Sequence, residues 1–183
     1  MGTKKHIFSG ETILHRKCQT EGNENQIRKL LSDGHAIDCT DNANFTPLHE
    51  ACNHGHLQYA KILVESGANI NRQSSIGITP LIDAAAAMNM DMLEYLMEAG
   101  AKLYLQERDG WTAADHLEHN IEKLDDDQRR DENTERAQLV LQKMRDSLQK
   151  LNSIGHNVNM VRKKTVSTVF VTEDDPERGE CLC

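Results

Sequence analysis

Five residues between His49 and His56 carry the side chains that most often do chemistry: His49, Glu50, Cys52, His54 and His56. Imidazoles and a thiolate at short spacing are the donors of a zinc site, and a Cys–His pair is the core of a thiol nucleophile. The spacing argues against both. On a helix, His49 and Cys52 at i, i+3 share a face, but Gly55 interrupts the run before His56, so the donors cannot converge on one ion. Cys52 falls on an apolar stripe, where a thiol behaves as a small inert hydrophobe. No catalytic group, metal or cofactor is expected here.

What places these residues is a repeat. The strings "GETILH" from Gly10, "NFTPLH" from Asn44, "GITPLI" from Gly77 and "GWTAAD" from Gly110 begin 34, 33 and 33 residues apart. A second marker keeps the same step: Gly34, Gly67 and Gly100 each close a helical run. Within the second unit Thr46 is a natural N-cap and Pro47 sits at the first helical position, where its missing N–H costs nothing. Leu48, Ala51 and Cys52 then recur on one face, Gly55 breaks the run, and Leu57, Ala60, Leu63 and Val64 form the stripe of a second helix. Two short helices cannot bury both stripes alone, so the units must stack.

These units resemble ankyrin repeats, whose mark is the T-P-L-H turn, a helix pair and a glycine-closed loop. The likeness runs from about Ser9 to Asp115, with Ile13 in place of the proline in the first unit and Ile82 in place of the histidine in the third. It implies an all-α solenoid of about four repeats. After Thr112 the pattern gives way to "AADHLEHNIEKLDDDQRRDENTE", read as an insertion with nine acidic and three basic residues. An amphipathic helix follows, with Ala137, Val140, Leu141, Met144, Leu148 and Leu151 on one side, suited to cap the last apolar face. The expected division is a flexible 1–8, a repeat domain over 9–151 and a flexible tail over 152–183. That tail holds a β-prone run, Thr165–Thr172, a weak kinase-substrate motif, "RKKTVS", and Cys181-Leu-Cys183, which is not a prenylation box.

Composition narrows the function. The chain has 183 residues, 38% hydrophobic and only 4% aromatic, which suits helices better than a sandwich or barrel. Its formal charge of −8 disfavours direct binding to nucleic-acid phosphates and favours a basic protein partner. Five cysteines at irregular spacing read as reduced thiols of a cytosolic or nuclear protein. The start, "MGTKKHIFSG", has no apolar run for secretion or membrane insertion, and Lys4-Lys5-His6 fits a myristoylation signal at Gly2 poorly.

The repeat also gathers acids. Glu11, Asp41, Glu50 and Asp83 each fall at or just before the first helix of a unit, so carboxylates far apart in sequence become neighbours along one face. Four in one register, with Phe45 and Asn53 between them, form an anionic groove for a cationic peptide.

"GETILHRKC", "DNANFTPLHEACNHGHL" and "GITPLIDA", followed by the enlarged fourth unit, are similar to the ankyrin domain of Tonsoku-like proteins; a related domain occurs in the RING partner of the breast-cancer susceptibility protein. The resemblance implies a nuclear, non-enzymatic reader of the histone H-four tail, within histone H-three/H-four, whose last tail lysine is unmethylated. It further implies that the reader brings repair partners, through other regions, to replicated DNA for homologous recombination. On that likeness Glu11, Asp41 and Glu50 form the lysine cage, and Phe45, which replaces a tryptophan, packs on the tail. Asn53 bonds the tail near its histidine with His49 and His54 flanking, and Asp83 meets a basic residue further along. Ser9 replaces a common methionine and Asn120 a fourth-unit aromatic. TPR units and leucine-rich repeats, usual in Tonsoku-like proteins, are not seen in these 183 residues. The alternative is a general ankyrin adaptor for another basic segment.

The cage chemistry sets the selectivity. A lysine ammonium has three donors, and carboxylates accept them at charge-assisted strength. Methylation keeps the charge but removes donors, at about 1.5–3 kcal/mol for each charged hydrogen bond. An aromatic box would welcome the methyls, and none is present.

Overall fold

The computed structural model describes residues 9–124 and 131–153, which form eight helices and no strand. They are α1 (Ile13–Gln19), α2 (Glu24–Ser32), α3 (Pro47–Asn53), α4 (Leu57–Glu65), α5 (Pro80–Ala86), α6 (Met90–Glu98), α7 (Ala113–Glu122) and α8 (Glu132–Ser153). The odd-numbered helices pack in one row, α1 on α3 on α5 on α7, and the even-numbered ones in a second row behind them. Each pair is one repeat unit, and α8 closes the stack by packing on both α6 and α7.

The same local devices recur at the predicted step. Thr12, Thr46, Thr79 and Thr112 precede the four front-row helices in extended conformation, which is the N-cap geometry. Gly34, Gly67 and Gly100 take φ of 85°, 95° and 89° after the second helices, the left-handed closure that glycine adopts without a Cβ penalty. Between units, the turns form a ladder: the Asn42 amide donates to Ser9 O at 3.0 Å, Ser75 to Ala43 O at 2.9 Å and Arg108 to Ile76 O at 2.8 Å. Leu14, Leu48, Leu81 and Leu117 are at most 2% exposed and run through the centre of the stack.

Two differences from the sequence reading concern the last unit. The stretch after Thr112 is an ordinary repeat helix up to Glu122, with Ala113, Leu117 and Ile121 buried at i, i+4, i+8. Asp115 takes over the histidine's capping role, its Oδ2 accepting from the Thr112 amide at 2.8 Å and hydroxyl at 2.7 Å. The acidic run thus hides a regular α7, and only 125–130 of it lies outside the described residues. The capping helix also continues past Leu151, to Ser153. Of its expected stripe, Ala137, Val140, Leu141, Met144 and Leu148 are buried and Leu151 is half-buried. Arg136 and Lys143 pair with Glu94 of α6, and Arg145 with Glu118 of α7. The Lys143 and then the Arg136 hydrogen bonds hold the Glu94 carboxyl below its ordinary range.

Residues 1–8 and 154–183, with the Thr165–Thr172 run, "RKKTVS", Cys181 and Cys183, lie outside the described residues. Among the described residues, no helix is long and apolar enough to cross a membrane.

Candidate peptide-binding site

The histidines of the turns are fixed first, because they are the scaffold on which the acids stand. The Nδ1 of His49 accepts from the Thr46 amide at 3.0 Å, and an amide only donates, so this nitrogen carries no proton. Its Nε2–H must then donate to the Ile78 carbonyl at 3.1 Å, tying the second unit to the third. His15 does the same one unit earlier, with the Thr12 amide at 3.2 Å and the Phe45 carbonyl at 3.0 Å. His49 is 1% exposed, and burial pushes its pKa down to about 4. Both of its ring nitrogens are committed, so it lies beneath the acidic face and offers no nitrogen to a ligand.

The other members of the cluster point elsewhere. Cys52 is fully buried and its thiol pKa is raised by that burial. His54 is exposed and its Nε2 lies 3.8 Å from Glu50 Oε2, while the His56 Nε2 donates to the Gln19 carbonyl at 3.4 Å. Among the described residues no three His, Cys, Asp or Glu side chains are arranged to hold a metal ion.

The acids are brought together. Glu50, on the first turn of α3, has its carboxyl raised above the ordinary range by burial first. The Gln19 hydrogen bond and His15 pull it back down, and the charges of Glu11 and Asp41 add to the rise. Gln19, the last residue of α1, also donates from Nε2 to Glu11 Oε1 at 3.1 Å, so one amide bridges acids of two units. Asp83 stands in the third unit where Glu50 stands in the second. Its pKa is pushed up to about 8, by burial and then by the Glu50 charge, and its Oδ2 is buried with no hydrogen-bond partner. The four acids therefore form one electrostatic set running across three units, with Asp83 held protonated near neutral pH.

Asp41 has two jobs. Its Oδ1 accepts from the Ala43 amide at 2.9 Å and the Phe45 amide at 2.8 Å, which shapes the turn that carries Phe45. Phe45 is half-buried and meets the His49 ring edge-on, with centroids 5.3 Å apart. Asn53, at the end of α3, is exposed.

Gln19 is not among the residues expected from sequence, yet the repeat marks it as the first-unit counterpart of Asn53, one step of 34 earlier. Asn120 donates to the carbonyls of Ala86 at 3.0 Å and Ala85 at 3.4 Å, and so ties α7 to α5. The fourth-unit counterparts of Asp41, Phe45 and Glu50 are Glu107, Trp111 and His116. There Glu107 Oε1 and His116 Nε2 bond each other at 3.0 Å, so that carboxylate has an internal partner.

Asp83 also makes the fold pH-sensitive. Its carboxyl keeps its proton up to about pH 8 in the folded chain but only to its ordinary 3.8 when unfolded. The folded state thus binds more protons between those values, and stability is lost as pH rises through that window. Thermal melts at pH 6 and pH 8.5 should show the parent several degrees less stable at the higher pH, at about 2–4 °C per kcal/mol for a chain of this size. Asp83→Asn should remove most of that difference, and an unchanged difference would mean that another group causes it.

Comparison with known proteins agrees with this architecture. A model of ankyrin repeats in three copies matches residues 2–74, and a single ankyrin repeat matches 76–108. The SMC5-SMC6 complex localization factor protein 1 of Homo sapiens is 46% identical over 56 residues, 31% of this chain and 5% of that protein. BCL-6 corepressor-like protein 1 of Homo sapiens is 38% identical over 63 residues, 34% of this chain and 4% of that protein. Ankyrin repeat and SOCS box protein 3 of Bos taurus is 37% identical over 51 residues, 28% of this chain and 10% of that protein. The chain spans a tenth or less of the length of these relatives. With its repeat step, turn ladder and paired helices, the chain belongs to the ankyrin-repeat family.

Proposed function

We propose that this chain is a nuclear, non-enzymatic reader of the histone H-four N-terminal tail with its last tail lysine unmethylated, and that it brings repair machinery to newly replicated chromatin. The carrying observation is the Glu50 carboxyl, which feels Glu11 from the preceding unit and Asp41 from the turn before it. Three acids held against one another store repulsion that a single ammonium relieves, while its three N–H groups satisfy them. Asp83, one unit on, is the acid assigned to a second basic side chain, which must draw the proton off a carboxyl whose pKa burial raises to about 8. Phe45 and Asn53 flank this track as an apolar and a hydrogen-bonding contact.

The relatives support the setting by their names alone: one localises the SMC5-SMC6 complex and another is similar to a corepressor. A nuclear, chromatin-associated role for this chain accords with those names. The second reading, a general ankyrin adaptor for some other basic segment, is favoured by the third relative, whose name carries a SOCS box.

Calorimetry with the histone H-four tail peptide and with a scrambled peptide of equal charge separates the two. The reader should bind the native order at least about tenfold more tightly, one misplaced charged contact being worth about 1.5–3 kcal/mol. Equal affinities would leave only the general adaptor.

A further inference from the structure

A groove of about 430 Å³ lies away from the acidic face, between the end of α6, the turn after it and the last turns of α8. Met97, Leu103, Tyr104 and Leu151 give it an apolar floor, Lys102 and Lys150 stand on its rim, and no acid lines it. Tyr104 is 37% exposed, among the most open large apolar side chains of the described residues. The described part of α8 ends at Ser153, two residues beyond the groove-lining Leu151. Further along, the sequence holds Val166, Val169, Phe170 and Val171 within six residues, with Phe170 the one aromatic among them, and shortly after it Glu173, Asp174 and Asp175.

We propose that this groove is the docking site of the chain's own segment 166–175, with Phe170 on the apolar floor and the three acids at Lys102 and Lys150. The order of the segment matches the groove: an apolar block and an acidic block for an apolar floor with a basic rim. Proximity does the rest. Phe170 is seventeen positions beyond Ser153, and a linker of that length spans about 20–25 Å on average. Its effective concentration at a groove beside its own origin is in the millimolar range, so a contact of only about 100 μM intrinsic affinity is closed about ten times as often as open.

The proposal predicts hydrogen exchange in the full chain. Amides of 100–105 and of 166–172 should exchange about 5–10-fold more slowly in the parent than in Phe170→Ser or in the Lys102→Glu/Lys150→Glu double variant, with rates unchanged on tenfold dilution. Thermal melting of both variants checks that the stack survives. Equal rates in parent and variants would overturn the proposal. Protection that fades on dilution would overturn it too, by assigning the groove to a second copy of the chain.

Discussion

Glu50→Gln lowers the affinity for the histone H-four tail peptide at least about tenfold and leaves the melting temperature unchanged or higher. The loss comes from removing one charge-assisted hydrogen bond to an ammonium, worth about 1.5–3 kcal/mol. The gain in stability has its origin in the same cluster: burial and the charges of Glu11 and Asp41 already disfavour an ionised Glu50. Opposite signs for binding and stability are the signature of a side chain kept for function. Asp41 needs more care. Its Oδ1 holds the amides of Ala43 and Phe45, so Asp41→Ala damages the turn as well as the cage. Asp41→Asn keeps the acceptor and removes only the charge, and should lose about the same affinity without loss of stability. Calorimetry and thermal melts of the two variants give both readouts. A fall in melting temperature that matches the loss of binding would make these acids structural.

Gly77→Ala is expected to damage the fold strongly. Gly77 sits at φ +87°, and a Cβ there would lie 2.9 Å from Glu107 Cα and 3.0 Å from Gln106 O. Those atoms are backbone of the next turn, next to the Arg108-to-Ile76 rung of the ladder at 2.8 Å, and cannot swing aside. The left-handed conformation costs about 1–2 kcal/mol and overpacking about 1–3 kcal/mol more, giving roughly 2–5 kcal/mol. Gly67→Ala is the control: φ is +95° but nothing lies within 4 Å of its Cβ, so only the conformational part of about 1–2 kcal/mol remains. Urea titration should separate the two midpoints clearly. Equal losses would mean that the turn ladder yields more easily than its geometry suggests.

How much of this was legible in the residues depends on how local the signal is. The Thr caps, the closing glycines and the stripe of the last helix are set by nearest neighbours, and they appear where the repeat placed them. The fourth unit departs from the repeat pattern because Ala113-Ala114-Asp115 replaces Pro-Leu-His. Capping needs only a side-chain acceptor at the third helical position, which an aspartate supplies as well as a histidine. The convergence of Glu11, Asp41 and Glu50 followed from stacking alone. Side-chain detail did not: the repeat marks Gln19 as the first-unit counterpart of Asn53, but only the structure shows its amide bridging Glu11 and Glu50. Such facts depend on which way a side chain turns at a helix end, and periodicity carries no information on that.

The central claim, an acid-only cage fitted to a bare ammonium, meets its most direct test in calorimetry of this chain with two histone H-four tail peptides, one with the last tail lysine unmethylated and one with it dimethylated. Two methyls remove two of the three donors without removing the charge. The account predicts binding at least about tenfold weaker for the dimethylated peptide. Equal or tighter binding of the dimethylated peptide, or no binding of either, would contradict it.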